Sequence, residues 1–266
     1  MTSTCAEAHA DWHVPPHWQA IDFVSDLHLS PDLPRTTRAF ADFLRHTKAD
    51  GVVLLGDVFE VWVGDDCRYQ PFERSVVDDL ADAARRGCAL AFLPGNRDFL
   101  VGDDLCHAAS MRRLSDPTRL LAWGGCWMLA HGDAQCLSDS SYQAFRRTVR
   151  SSQWTAGFLA RPLHERLSIA RSMRQASIER RSLPVEGSGD LDPRACLDLL
   201  ALGKATVLIH GHTHRPACHE LGNDRQRWVL SDWDLDGSDN GRAEVLRLRR
   251  DGSLTRLSPQ AACTER

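Results

Sequence analysis

The stretch Val52-Val53-Leu54-Leu55-Gly56-Asp57 decides how the chain is read. Four apolar residues closed by a glycine are strand-sized, and the strand delivers a carboxylate at its end. Four further blocks repeat the arrangement. Asp26-Leu27-His28 follows Ile21–Ser25, and Gly95-Asn96-Arg97-Asp98 follows Ala89–Leu93. His131-Gly132-Asp133 follows Cys126–Ala130, and Gly211-His212-Thr213-His214 follows Ala205–Ile209. Together the blocks offer the imidazoles of His28, His131, His212 and His214, the carboxylates of Asp26 and Asp57, and the amide of Asn96. Hard oxygens mixed with imidazole suit divalent manganese, iron or zinc, and one carboxylate can bridge two ions. Two ions about 3.5–4 Å apart hold an attacking hydroxide and clamp a phosphoryl oxygen. The pattern points to metal-assisted phosphoester hydrolysis. A single block would read as turn residues and a satisfied histidine; five in a fixed order do not.

Outward from the blocks, Thr36–His46 and Phe72–Arg86 have helical spacing. Strand, turn and helix therefore alternate, as in βαβ units around a buried sheet. Later strands are expected at Leu120–Trp123, Trp228–Leu230 and Ala243–Leu248, with a hairpin about Gly124-Gly125. With 266 residues and 42% hydrophobic content, the chain suffices for one large α/β domain. We expect a core over 21–139 and 184–250, an insertion over 140–183 and a C-terminal tail over 251–266. Residues 1–20, with Pro15-Pro16 and spaced histidines, read as a flexible extension. No stretch approaches about 18 consecutive apolar residues, so no membrane-spanning helix is expected. Nine cysteines stand singly, and the start lacks the pattern of a signal peptide; both fit a reducing cytosol.

The insertion stands apart in charge. Residues 140–183 hold nine arginines against two glutamates, a net +7, while the whole chain is −4. Trp154, Phe158, Leu159 and Leu163 are interleaved among them. Such helices suit a membrane interface, with the apolar residues meeting lipid chains. The bland alternative is an insertion packed on the core with solvated arginines. Nucleic acid is not expected as a partner, because no reading motif accompanies the arginines and the remainder of the chain is acidic.

The ordered blocks resemble the calcineurin-like metallophosphoesterase superfamily from about Ile21 to Leu248. The resemblance implies a four-layer αββα sandwich and two divalent ions, one held by Asp26, His28, Asp57 and His214. The other would lie between Asp57, Asn96, His131 and His212, with Asp57 as the bridge. Asp98 and Asp133 would orient ligand histidines, and His210 would be structural. Where the common form has Asn-His, this chain has Asn96-Arg97. An arginine cannot act as a general acid, because its pKa is above about 12. It can neutralise a leaving group that is already a weak base, such as a phosphate monoester.

That signature, with Gly56–Asp66, His131–Asp139, Ala170–Ser177 and Ile209–Pro216, resembles the UDP-2,3-diacylglucosamine pyrophosphohydrolase family of lipid A biosynthesis. The resemblance implies cleavage to UMP and 2,3-diacylglucosamine 1-phosphate, usually with manganese, by water attack on the phosphorus next to uridine. Catalysis falls to Asp57, Asn96, Arg97 and His212. Substrate contacts carry over to Asn96, Arg97, Asp139, Arg174, Ser177, Arg181 and His212, with 140–183 as a helical lid. At Arg181 and Pro184 the family pattern has asparagine and lysine, which leaves the nucleoside contacts open there. A monomer, peripheral on an anionic membrane at the cytosolic face of the inner membrane, is expected. The alternatives are a metallophosphoesterase for a soluble nucleotide pyrophosphate or phosphodiester, and a scaffold that has lost its metals.

Overall fold

The computed structural model describes residues 10–181, 189–237 and 241–266, with the backbone alone for 176–181. In chain order the elements begin with β1 (Ala10–His13), β2 (Ala20–Val24), α1 (Pro34–His46), β3 (Gly51–Leu55) and α2 (Pro71–Arg85). β4 (Ala89–Leu93), α3 (Asp103–Ala108) and β5 (Met111–Arg113) follow, then the hairpin β6 (Thr118–Ala122) and β7 (Gly125–Leu129). Next come α4 (Ser140–Val149), α5 (Ser152–Leu159), α6 (Leu163–Arg181) and α7 (Pro193–Gly203). β8 (Val207–His210), β9 (Ala217–Gly222), β10 (Arg225–Val229), β11 (Val245–Arg249), β12 (Leu254–Leu257) and α8 (Pro259–Thr264) complete the fold.

The strands form two six-stranded mixed sheets, ordered β12-β11-β2-β3-β4-β5 and β1-β6-β7-β8-β10-β9. Side chains alternate across a strand, so each buried strand feeds two layers. Val52 and Leu54 of β3 pack among Phe40, Phe43, Val76 and Leu80 of α1 and α2. Val53 and Leu55 face the other way, toward Leu120, Trp127, Leu129 and Ile209 of the second sheet. Met128 and Leu208 on that sheet's outer face meet Cys196, Leu199 and Leu200 of α7. The result is the expected αββα sandwich. β2, β3 and β4 are parallel neighbours, as are β7 and β8, and all five ligand blocks leave their C-terminal ends. Ligands of α/β sheets collect at such strand ends.

The expectation for the N-terminal end is corrected. Residues 10–20 are not a flexible extension: β1 pairs in parallel with β6, and Trp12, Val14 and Trp18 are buried between the sheets. Residues 1–9 lie outside the described residues. The C-terminal tail is likewise structured, as β12 pairs with β11 and α8 packs against α1.

The insertion is helical, but its apolar residues divide. Phe158 is buried in the first core layer, where Trp154, Leu163 and Leu167 also pack. Leu159, Phe145 and Met173 remain exposed. The buried Arg166 donates to the Val63 carbonyl and to both carboxylate oxygens of Asp66, tying α6 to the core. Phe158 is therefore not free to meet lipid, and Trp154 and Leu163 are only partly so. Among the described residues no helix is long and apolar enough to cross a membrane, and the eight cysteines are free thiols.

A buried ion pair fastens the C-terminus. Arg247 of β11 donates to both oxygens of Asp22 on β2, at 2.7 and 2.8 Å, with neither side chain exposed. Its remaining hydrogens reach the Ala262 and Glu265 carbonyls of the last helix, and Thr47 Oγ1 donates to Asp22. Breaking a buried pair from one side leaves a charge unmatched, at about 3–5 kcal/mol, whereas an apolar replacement of both is close to neutral. Asp22→Ala should lower the urea unfolding free energy by that amount, and Asp22→Leu with Arg247→Met should recover most of it. A single variant within about 1 kcal/mol of the parent would remove the pair from its anchoring role.

Candidate metal centre

Five of the seven expected ligands sit in the left-handed backbone region: Asp26 (φ 53°), His28 (48°), Asp57 (55°), His212 (69°) and His214 (54°). Each such residue costs of order 1–3 kcal/mol, which its surroundings must offset. Backbone cross-links between the blocks do so. Asp26 donates its amide to the Gly56 carbonyl, His28 donates to the Asp57 carbonyl, and His212 donates to the Asp26 carboxylate. Asp98 accepts the amides of Gly95, Asp57 and Val58 at 2.8, 3.2 and 2.8 Å. Its expected role in orienting a histidine is thus corrected: it fastens backbone. Gly95 and Gly211 are held for lack of space, since a Cβ would fall on the carboxylates of Asp57 and Asp26 respectively.

The seven side chains converge. His28 Nε2 and His214 Nε2 stand 3.3 Å apart, and His214 Nε2 is 3.3 Å from Asp26 Oδ1. Asp57 presents one oxygen to each half of the cluster, Oδ2 at 4.0 Å from His28 Nε2 and Oδ1 at 3.6 Å from His131 Nε2. Asn96 Oδ1 lies 3.0 Å from His131 Nε2 and 2.9 Å from His212 Nδ1. Ligand atoms of Asp26, His28 and His214 lie within 4.8 Å of one another, as do those of Asp26, Asp57 and His131.

The donor set fits divalent cations. Glu60 Oε2 faces His28 Nδ1 at 3.1 Å, Asp232 Oδ2 faces His214 Nδ1 at 3.4 Å, and the Leu55 carbonyl faces His131 Nδ1 at 2.9 Å. Each acceptor fixes a proton on Nδ1 and turns the Nε2 lone pair inward, as in carboxylate–histidine–metal triads. Inside, the Nε2 atoms meet the oxygens of Asp26, Asp57 and Asn96, and those of His28 and His214 also meet each other. A cation is the group that relieves that convergence. The same field acts on protons. Burial opposes charge on His131, but Asp57, Asp26 and Asp133 outweigh it and push its pKa up to about 9. His214, opposed by burial and drawn by Asp232 and Asp26, rises to about 10. Burial and His131 push His212 down to about 4, which leaves it a neutral donor.

Arg97 and the helices α4 and α6 supply the rim. Arg97 and Arg174 of α6 both approach Glu60, Arg97 Nη1 at 3.9 Å from Oε1 and Arg174 Nη1 in direct contact. Asp133 binds α4 rather than orienting a histidine, a second correction: its Oδ2 accepts from Tyr142 Oη (2.6 Å), Arg146 Nε (2.9 Å) and Arg150 (3.3 Å). Asp139 caps α4 through the Tyr142 amide at 2.8 Å. The side chains of Ser177 and Arg181 lie outside the described residues. His210 is fully buried, with Nδ1 2.8 Å from the Gly211 carbonyl. Two cavities flank the ligand blocks in sequence, and one of them shares a residue with the centre. One, of about 320 Å³, is lined by Phe99, Leu100, Val101, Arg150 and Leu159 beside the Asn96 block. The other, of about 470 Å³, starts from the His214 block.

Sequence reasoning missed Glu60, Asp232 and Tyr142. Glu60 sits three residues after Asp57, inside a stretch already singled out, and so had a signal. Asp232 and Tyr142, whose ring stacks 6.2 Å from His212, had none. Gly95→Ala should displace the Asp57 carboxylate while the fold persists. Manganese affinity, read by metal analysis after equilibrium dialysis, should fall about 10–100-fold, as for other disturbances of ligand supports. Unchanged affinity would mean that this close approach does not set the centre's geometry.

A family model described as calcineurin-like phosphoesterase matches residues 20–216. A UDP-2,3-diacylglucosamine hydrolase of Ralstonia nicotianae is 43% identical over 245 residues, covering 88% of this chain and 90% of that one. Its namesake in Bordetella pertussis is 40% identical over 247 residues, covering 89% and 93%. Another, of Marinobacter nauticus, is 41% identical over 218 residues, covering 80% and 88%. The folded blocks, the family match and likeness over most of both lengths agree: the chain belongs to the calcineurin-like phosphoesterase family, in the branch of the UDP-2,3-diacylglucosamine hydrolases.

Proposed function

We propose that the protein hydrolyses the pyrophosphate bond of UDP-2,3-diacylglucosamine, giving UMP and 2,3-diacylglucosamine 1-phosphate for lipid A biosynthesis. The observation that carries this reading is Arg97, standing where a proton donor would be expected beside a metal centre of seven converging side chains, with Arg174 of α6 near the same Glu60. A phosphate monoester leaving group needs charge neutralisation and not a proton, because its second pKa is near about 6. The two guanidinium groups neutralise it, and their planar forks match phosphate oxygens. Asp26, His28, Asp57 and His214 would hold one ion, and Asp57, Asn96, His131 and His212 the other, with manganese the ion proposed. Bound there, two ions supply a water activated near neutral pH and a clamp on the phosphoryl oxygens. Asp57 holds both halves in register, and Asn96 and His212 position the phosphate between Arg97 and Tyr142.

The 140–183 insertion acts as the lid in this reading. Arg174, Ser177 and Arg181 lie along α6 for the sugar and phosphates, and Asp139 orders the start of α4. The cavity at Phe99, Leu100 and Leu159, which also carries Arg113 and Arg150, suits an acyl chain that enters beside a phosphate. The exposed Phe145, Leu159 and Met173 on a basic segment suit reversible contact with anionic lipid at the cytosolic face of the inner membrane. The working unit is proposed to be a monomer.

Phosphorus NMR of the products in manganese buffer tests the reaction: UMP with an acylated sugar phosphate is expected. Chelation should stop turnover and manganese restore it, and Asp57→Ala should be inactive at any metal concentration. Full activity in excess EDTA would sink the two-ion reading. Arg97→Ala should lower kcat/KM by roughly 10²–10³ with metal content unchanged, since the guanidinium stabilises charge and is no ligand. A variant that loses metal and turns over normally once reloaded would show the assigned role to be wrong.

A further inference from the structure

We propose that the cavity of about 470 Å³ beside His214 seats the nucleoside 5′-monophosphate half of the substrate. The inference rests on the reaction proposed above and names a subsite for it. Thr213, His214, Arg215, Ala217, His219 and Arg242 line the cavity. His214 joins it to the metal centre, because its Nε2 faces Asp26 at 3.3 Å while the residue also forms the cavity wall. A phosphate held at the centre therefore has this cavity directly beside it.

Three properties suit a nucleotide. The volume falls within the range of small-ligand sites, roughly 300–1,000 Å³. The wall carries two guanidinium groups, Arg215 and an Arg242 paired with Asp232 at 2.5 Å, and its acid Asp190 is matched at 2.7 and 2.9 Å by Arg227. Thr213 Oγ1 is buried without a hydrogen-bond partner among the described residues, an arrangement that commonly marks a ligand or water contact. Position decides the orientation: the His214 that walls this cavity itself belongs to the metal centre, whereas the other cavity, lined by Phe99, Leu100, Val101, Arg113, Arg150 and Leu159, holds none of the seven converging side chains.

The test is the binding of UMP and of inorganic phosphate to the manganese-loaded protein, measured by calorimetry for the parent, Arg215→Ala and Ala217→Trp. The first variant removes a charge from the wall, and the second fills the cavity and removes none. Both should weaken UMP by about tenfold or more, the scale of one lost charged hydrogen bond. Both should leave inorganic phosphate within about twofold, since it needs the metals alone. Unchanged UMP affinity in both variants, or no UMP binding to the parent, overturns the proposal. Parallel loss of phosphate and UMP overturns it too, because a disturbed metal centre would give that result. Turnover of UDP-2,3-diacylglucosamine by the parent separates the two readings. Turnover with UMP affinity untouched by the variants removes the subsite alone. Selective UMP loss without turnover removes the proposed reaction and leaves a nucleotide site.

Discussion

Asp26 and Asp57 are carboxylates taken almost completely out of water where two sheets meet. Burying an ion costs several kcal/mol even after relaxation, and the cost stands until a partner of opposite charge or a set of donors meets it. The architecture around them serves that need. Ser25 Oγ donates to Asp26 at 2.6 Å, the His212 amide donates to the same carboxylate, and the Arg97 amide donates to Asp57 at 2.8 Å. These donors come from four of the five blocks once the carboxylates themselves are counted, so the strand ends are fixed relative to one another by the anions they surround. What backbone amides leave unmatched, a cation at the converging imidazoles completes.

Much of this was legible in the sequence because the determinants are local. The buried strands β2, β3, β4, β7 and β8 read as apolar runs, and the ligand types follow from what divalent metals accept. The elements missed were edges. β1 exposes three of its four residues and is preceded by nothing apolar, so Trp12 alone spoke for it. β9 alternates half-buried and exposed residues, Ala217 to Gly222, with a histidine and a glutamate among them. α8 is tied by Arg247, a long-range polar partner that no window along the chain contains, and β12 by its ladder with β11. Asp232 was obscure for the same reason: a carboxylate that orients an imidazole is selected by proximity in space.

The insertion shows how charge counting misleads when folding uses the charges internally. Arg146 and Arg150 bind Asp133, Arg166 binds Asp66 and Arg174 meets Glu60, so four of the nine arginines are turned toward acids of the core. Only a part of the +7 faces outward. The apolar residues divide similarly, with Phe158 and Trp154 stacked 4.6 Å apart against the core and Leu159 left outside. A segment that reads as a basic amphipathic surface is thus partly a docked domain element, held by the same Asp133 that follows His131 in its block.

The crowding at Gly95 and Gly211 reaches beyond the geometry of one molecule. Neither position has room for a Cβ, and their neighbours are the oxygens of the two buried carboxylates. Inherited variation at these positions is closed off, whichever substrate a descendant of this chain is selected to use. New specificity must arise elsewhere, in parts that can change without moving the carboxylates. The walls of the two flanking cavities and the outward faces of the inserted helices meet that condition. The same crowding that keeps the reactive centre invariant thus confines evolutionary novelty to its periphery.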